Sequence, residues 1–152
     1  MTRAQGWARA AVTVLAVLAL DQVTKLLADG RIARGDSINV FFGLDLTNTR
    51  NRGVAFGFLE GKGGVVGLLI AVALAALVVW FALNAGREWL WLPVGMLLGG
   101  AIGNLIDRAR EGAVIDFIDP IAWPAFNVAD MCIVIGVLAL LYVMEGPARR
   151  EA

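Results

Sequence analysis

The chain has 152 residues; 59% are apolar, only 17% are charged, and 13 basic side chains balance 13 acidic ones. Soluble domains carry about 25% charged residues, so this composition excludes an ordinary soluble domain. The absence of a basic excess argues against a nucleic-acid binder. There is no His and one Cys, Cys132. That removes His-based triads, His metal sites, internal disulfides and thiolate zinc clusters, and no metal or other cofactor is expected. The chemistry must come from carboxylates, amines, guanidinium groups, hydroxyls, amides or backbone.

A helix needs about 20 apolar residues to cross the hydrocarbon of a bilayer. Four segments approach that length, at about 7–28, 64–83, 89–107 and 127–144. The first follows Arg3 and Arg9 but carries Asp21 and Lys25 where a cleavage site would sit, so it is read as a retained helix rather than a signal peptide. Between the first and second spans, the stretch at about 36–60 alternates strand-forming Val40, Phe41, Phe42, Leu44 and Leu46 with Gly43, Gly53 and Gly57. It predicts a small β-structured loop at the membrane surface. Pro93 falls in the first turns of the third span, where proline is tolerated. Gly95, Gly99 and Gly103 recur every four residues and predict a helix-packing face. Trp7, Trp80, Trp89, Trp91 and Trp123 lie near span ends as an interfacial belt, and Cys132 reads as a small buried residue. The expected architecture is a single all-α membrane domain over 1–152, with four transmembrane helices and the small β-loop.

Four spans place both termini on one side. That side holds Arg3, Arg9, Arg87, Arg149 and Arg150; the other holds Arg31, Arg34, Arg50, Arg52, Lys62, Arg108 and Arg110. The basic count leaves the orientation open.

Ionisable residues within spans are functional candidates by default. Asp21 and Lys25 share a helical face, as do Asn104 and Arg108, with Asp107 beside them. Asn127 stands three residues before Asp130, as an N-cap or as an orienting amide for a carboxylate. Asp116 sits in the short link between the third and fourth spans. Alternating spans bring all of these, and Asn51 of the β-loop, to one membrane face. Asp107 and Arg108 also fit the plain end of a span. With two acids and no His, a carboxylate dyad is the simplest chemistry, because two acids sharing a site do not both ionise. Position favours Asp116 and Asp130 as that pair.

These residues form five ordered motifs. They are Asp21-Gln22-x-x-Lys25, Asn51-x-Gly53-x-Ala55-Phe56, Gly100-x-x-Gly103-Asn104-x-x-Asp107-Arg108, Val114-x-Asp116-Phe117 and Phe126-Asn127-x-Ala129-Asp130. In this order and over nearly the whole chain they resemble the bacterial lipoprotein signal peptidases (signal peptidase II). The resemblance implies an intramembrane aspartic peptidase that removes the signal peptide from diacylglyceryl-modified prolipoproteins, cutting just before the lipidated Cys. It implies Asp116 and Asp130 as the catalytic pair, with Asp21, Lys25, Asn51, Gly53, Asn104, Arg108 and Asn127 supporting the site or holding substrate. It also implies the bacterial inner membrane, cytoplasmic termini and an active site near the outer leaflet. The partners expected are the prolipoprotein substrate and membrane lipid, without nucleic acid, for a monomeric enzyme.

Roles follow as expectations. Asn51 and Gly53 are expected to hydrogen-bond an extended substrate, Arg108 to meet Asp21 or a loop carbonyl, and Lys25 to favour ionisation of a nearby acid. The link 118–125, with Pro120 and Pro124, is read as a stiff short turn, shorter than in many members of that family. It brings Asp119 close as a third acid, read as a loop residue rather than a catalytic one. A small transporter or proton channel is the rival reading, but it requires polar groups along a path across the bilayer, and the second span has none.

Overall fold

The computed structural model describes residues 1–53 and 63–146, and within these the side chains of 63–67 are not described. The motif residues Ala55 and Phe56, the last part of the β-loop, and Lys62, Arg149 and Arg150 lie outside the described residues. The elements in order are α1 (Arg3–Arg31), β1 (Ser37–Phe41), β2 (Leu44–Asn51), α2 (Gly63–Asn84), α3 (Trp91–Glu111), β3 (Val114–Pro120) and α4 (Val128–Glu145). Both α1 and α4 are long and apolar enough to cross a membrane, and Leu68–Asn84 forms a shorter apolar helix.

Helix boundaries follow local chemistry. Thr2 caps α1 in a reciprocal capping box with Gln5. The helix runs past the predicted end near residue 28 to Arg31, and Ile32 donates back to the Ala28 carbonyl. Predicted to start at Trp89, the third helix begins instead at Trp91, because Trp89 adopts φ 63°. It ends at Gly112, which is left-handed at φ 69°.

The central helix is α3, with α1 and α4 packed along it. Glycines permit the close approach. A Cβ on Gly95 would lie 2.5 Å from Thr13 Cβ, and one on Gly99 2.8 Å from Val17 Cβ. A Cβ on Gly100 would lie 2.5 Å from the Ala129 carbonyl oxygen of α4. The four-residue glycine spacing therefore serves the α1–α3 contact, and Gly100 serves α4. At the end of the bundle nearest the N-terminus, Ala10, Phe81, Ala85, Leu90, Val94 and Leu98 form a buried apolar cluster, with Trp7 edge-on to Phe81 at 4.8 Å. Large apolar side chains such as Leu15, Leu26, Val79, Val134 and Leu138 point outward, the pattern of helices solvated by lipid.

The sheet corrects one expectation. It has three antiparallel strands in the order β1-β2-β3, and the third comes from the link between α3 and α4 rather than from the β-loop. The segment Val114–Pro120 is rich in strand formers (Val114, Ile115, Phe117 and Ile118) and pairs with β2 from Leu44↔Pro120 to Asn51↔Val114. The supposed stiff turn is therefore a strand as far as Pro120, and Ile118 bridges to Phe126 beyond it. Cys132 is half-buried rather than buried.

Candidate active site

The C-terminal ends of α1 and α3, the start of α4 and strands β2 and β3 meet at one polar cluster. Its foundation is Lys25, 1% exposed. The ammonium lies 2.9 Å from Asp21 Oδ2, 2.7 Å from Asp107 Oδ2 and 2.9 Å from Asn104 Oδ1. Three acceptors on two helices satisfy all three of its N–H bonds. Asp21 Oδ1 then accepts the backbone N–H of Ala129 at 3.0 Å, tying α4 to α1. Gly103 makes room for this, since a Cβ there would sit 2.5 Å from Asp21 Oδ2. Asp107 Oδ2 accepts the Ile115 backbone N–H at 3.3 Å and so fixes the start of β3. Gln22 Nε2 donates to Asp21 and, at 3.0 Å, to Asp107 Oδ1.

Asparagines carry this frame to the two candidate acids. Asn104 accepts from Lys25 and donates to Asp130 Oδ1 at 2.8 Å. Asn127 is the N-cap of α4: its Oδ1 accepts from the Asp130 backbone at 3.0 Å, and its own N–H donates to Asp130 Oδ2 at 3.3 Å. Its Nδ2 donates to Asp116 Oδ1 at 2.7 Å. Both sequence readings of Asn127, cap and orienting amide, therefore describe one residue, and the carboxylate its side chain orients is Asp116. Asn51 Nδ2 donates to Asp116 Oδ2 at 2.9 Å, so its amide engages the acid directly, where a substrate contact was expected. Gly53 N–H closes back on Asn51 Oδ1 at 3.0 Å.

Asp116 is 2% exposed, whereas Asp130 is half-buried. Burial pushes the Asp116 carboxyl up to about 6; the Asn51 and Asn127 amides and the Lys25 charge oppose the rise, and the Asp130 charge adds to it. Every buried side-chain polar atom among the described residues has a partner.

Three expectations gain detail. Arg108 donates to the Gly53 carbonyl at 3.0 Å, the loop-carbonyl alternative, and has no ion pair with Asp21. Lys25 binds Asp21 and Asp107 directly, while Asp116 and Asp130 feel only its charge. Asp119 stands three residues from Asp116 on β3, so its side chain leaves the opposite face, opposite Asp45 of β2. Asp107 and Gln22, quoted in the motifs but given no site role, belong to the polar cluster. The signal was available for both. Gln22 adjoins Asp21, and Asp107 lies three residues from Asn104 on one helical face.

A sequence profile of the family Signal peptidase (SPase) II matches residues 13–145. The chain belongs to the signal peptidase II family. It is 44% identical over 141 residues to a lipoprotein signal peptidase of Moorella thermoacetica, covering 90% of this chain and 93% of that one. It is 41% identical over 148 residues to one from Geobacter sulfurreducens, covering 91% and 92%. A solved bacterial membrane enzyme superposes with a TM-score of 0.86 at 32% identity, covering 94% of this chain and 91% of that one. A second superposes with 0.78 at 33% identity, covering 89% and 91%. As a member of the signal peptidase II family the chain is a membrane-embedded peptidase of lipoprotein processing.

Proposed function

We propose that this signal peptidase II is an aspartic endopeptidase that cleaves diacylglyceryl-modified prolipoproteins immediately N-terminal to the lipidated Cys, with Asp116 and Asp130 as its catalytic pair. One observation carries the reading: Asn127 engages both carboxylates, Asp116 through its side-chain amide and Asp130 through its N-cap bonds. One carboxylate is ionised and draws a proton from water as that water attacks the scissile carbonyl. The other is protonated and donates to the carbonyl oxygen, giving a gem-diol. Collapse breaks the C–N bond, returns one hydroxyl proton to a carboxylate and delivers the other carboxyl proton to the departing amine. Water is the only co-reactant. The two carboxylates share one proton, and the titration belongs to the pair.

Asp21, Lys25, Asn104 and Asn127 act as the frame that holds the pair, and Arg108 fixes the Gly53 carbonyl beside it. Asn51 and Gly53 close the β2 side. In this reading α1 to α4 all span the bacterial inner membrane, both termini are cytoplasmic and the site lies near the outer leaflet. Polar groups gathered at one end of the bundle suit a cleavage site under the sheet. A transport path needs them along the whole bilayer. An opened substrate backbone is unfavourable in lipid, and this polar end offers it partners.

The test is cleavage of a prolipoprotein in liposomes, with and without its diacylglyceryl Cys. Wild type runs beside Asp116→Asn and Asp130→Asn, each shown to be folded by its thermal melt. Lipid-dependent cleavage lost in both variants is the expected result. Cleavage retained in either one refutes the assignment of the pair.

A further inference from the structure

Outside the polar cluster, a second set of charges joins the same elements from the other side of the sheet. Arg50 precedes Asn51 on β2, so its side chain leaves the opposite face. Its Nη2 lies 2.5 Å from Asp29 Oδ1, near the end of α1, and its Nε lies 2.9 Å from Glu111 Oε2, at the end of α3. Its Nη1 donates to Asn48 Oδ1. Asn48, 1% exposed, donates to the Ile32 carbonyl at 2.7 Å and to Asp29 at 3.0 Å. Arg34 adds a contact to Glu111 at 3.1 Å. One planar guanidinium thus ties β2 to two helix ends, a geometry that a lysine does not reproduce.

The register shows what this clamp controls. β2 pairs Leu46↔Ile118 and next Thr49↔Asp116, so three steps on β2 match two on β3. The extra residue makes a bulge at Thr47–Asn48, and Asn48 is the residue that Arg50 and Asp29 hold. Beyond the bulge, Thr49 lies opposite Asp116, and Asn51 is its diagonal neighbour on the same face. A slip of one residue would turn Asn51 away from Asp116.

We propose that Arg50 is a positioning residue: clamped between Asp29 and Glu111, it fixes the bulge at Asn48 and so delivers the Asn51 amide to Asp116. The proposal rests on Asp116 being a member of the catalytic pair. An amide donor favours the ionised carboxylate, so withdrawing Asn51 shifts the titration of Asp116 upward. The charged groups acting on Asp116 are Asp130 of α4, Lys25 of α1 and Arg108 of α3, and the test replaces none of them.

The experiment is the pH dependence of kcat for lipidated prolipoprotein cleavage in detergent, for wild type, Asn51→Ala, Arg50→Ala and the double variant. Asn51→Ala moves one limb of the profile upward. Arg50→Ala moves the same limb in the same direction by about one pH unit, and the double variant moves it no further than Asn51→Ala does. A purely bracing role lowers kcat at every pH with the limb in place, and that result overturns the proposal. So does a double-variant shift equal to the sum of the single ones. Where Arg50→Ala does not fold, Glu111→Gln removes one arm of the clamp. A smaller upward shift is then expected, and an unmoved limb is again fatal. Full activity of Asp116→Asn would instead overturn the underlying reading of the pair. An unmoved limb in Arg50→Ala, with Asp116→Asn inactive, removes the role of Arg50 alone.

Discussion

The contact between α1 and α3 has two ends with opposite chemistry. At one end Gly95 and Gly99 meet Thr13 and Val17, and Ala10, Phe81, Val94 and Leu98 pack nearby. At the other, one glycine step further, Gly103 meets Asp21, and Lys25, Asn104 and Asp107 fill the same kind of gap with hydrogen bonds. The spacing of small residues sets how closely the backbones approach. The side chains at each level then decide whether that closeness yields dispersion contacts or a bonded polar frame. A packed apolar gap responds to lost volume, whereas a polar one responds to a single lost partner.

The largest effect expected is on activity at the polar end. Asp116→Asn and Asp130→Asn should each lower lipid-dependent cleavage about 100-fold to 10,000-fold while the protein stays folded, measured as initial rates beside thermal melts. Lys25→Met tests the frame beneath them. It leaves Asp21 and Asp107 buried without their cation, at a cost of about 3–5 kcal/mol in stability. Adding Asp107→Asn to Lys25→Met should recover part of that loss in denaturant or thermal unfolding. If it recovers none, the charge balance assigned to the cluster is wrong.

The apolar end supplies the contrast. Phe81 is fully buried, and Phe81→Ala should destabilise by about 3 kcal/mol while leaving the shape of the pH–rate profile unchanged. A shifted profile would mean that the two ends are coupled. The last effect concerns pH alone. Asp116 titrates near 6 in the folded protein against an ordinary value of 3.8, so the folded state binds the proton more tightly. Its contribution is full below about pH 4 and is lost as pH rises through about 6, by up to about 3 kcal/mol. Asp116→Asn should flatten that slope in melts run from pH 4 to pH 7.

Much of the site is legible in the sequence because membranes make polar residues conspicuous. Asp21, Lys25, Asn104 and Asp130 stand out against apolar helices, and the up-and-down alternation of the helices brings them to one end. The pairings are not legible. Asn51 reads as a substrate contact because nothing in the β-loop shows that its neighbour is Asp116, 65 positions further along the chain. Strand β3 is hidden in a link read as a turn because of Pro120 and Pro124, and its partner β2 lies across two intervening helices. Asp119 looks equivalent to Asp116 along the chain, and only strand pairing puts it on the other face. The role of Arg50 is invisible without the bulge at Thr47–Asn48.

By itself, then, the sequence determined the apolar helices, the glycine contact spacing and which polar residues share an end. Each of these follows from hydropathy and from helical periodicity within one segment. Only the tertiary structure decided which amide meets which carboxylate, where Lys25 places its charge and which face of β2 Asn51 occupies. Those choices depend on strand register and on which backbones meet at the glycines, and neither is encoded in the local pattern of one element.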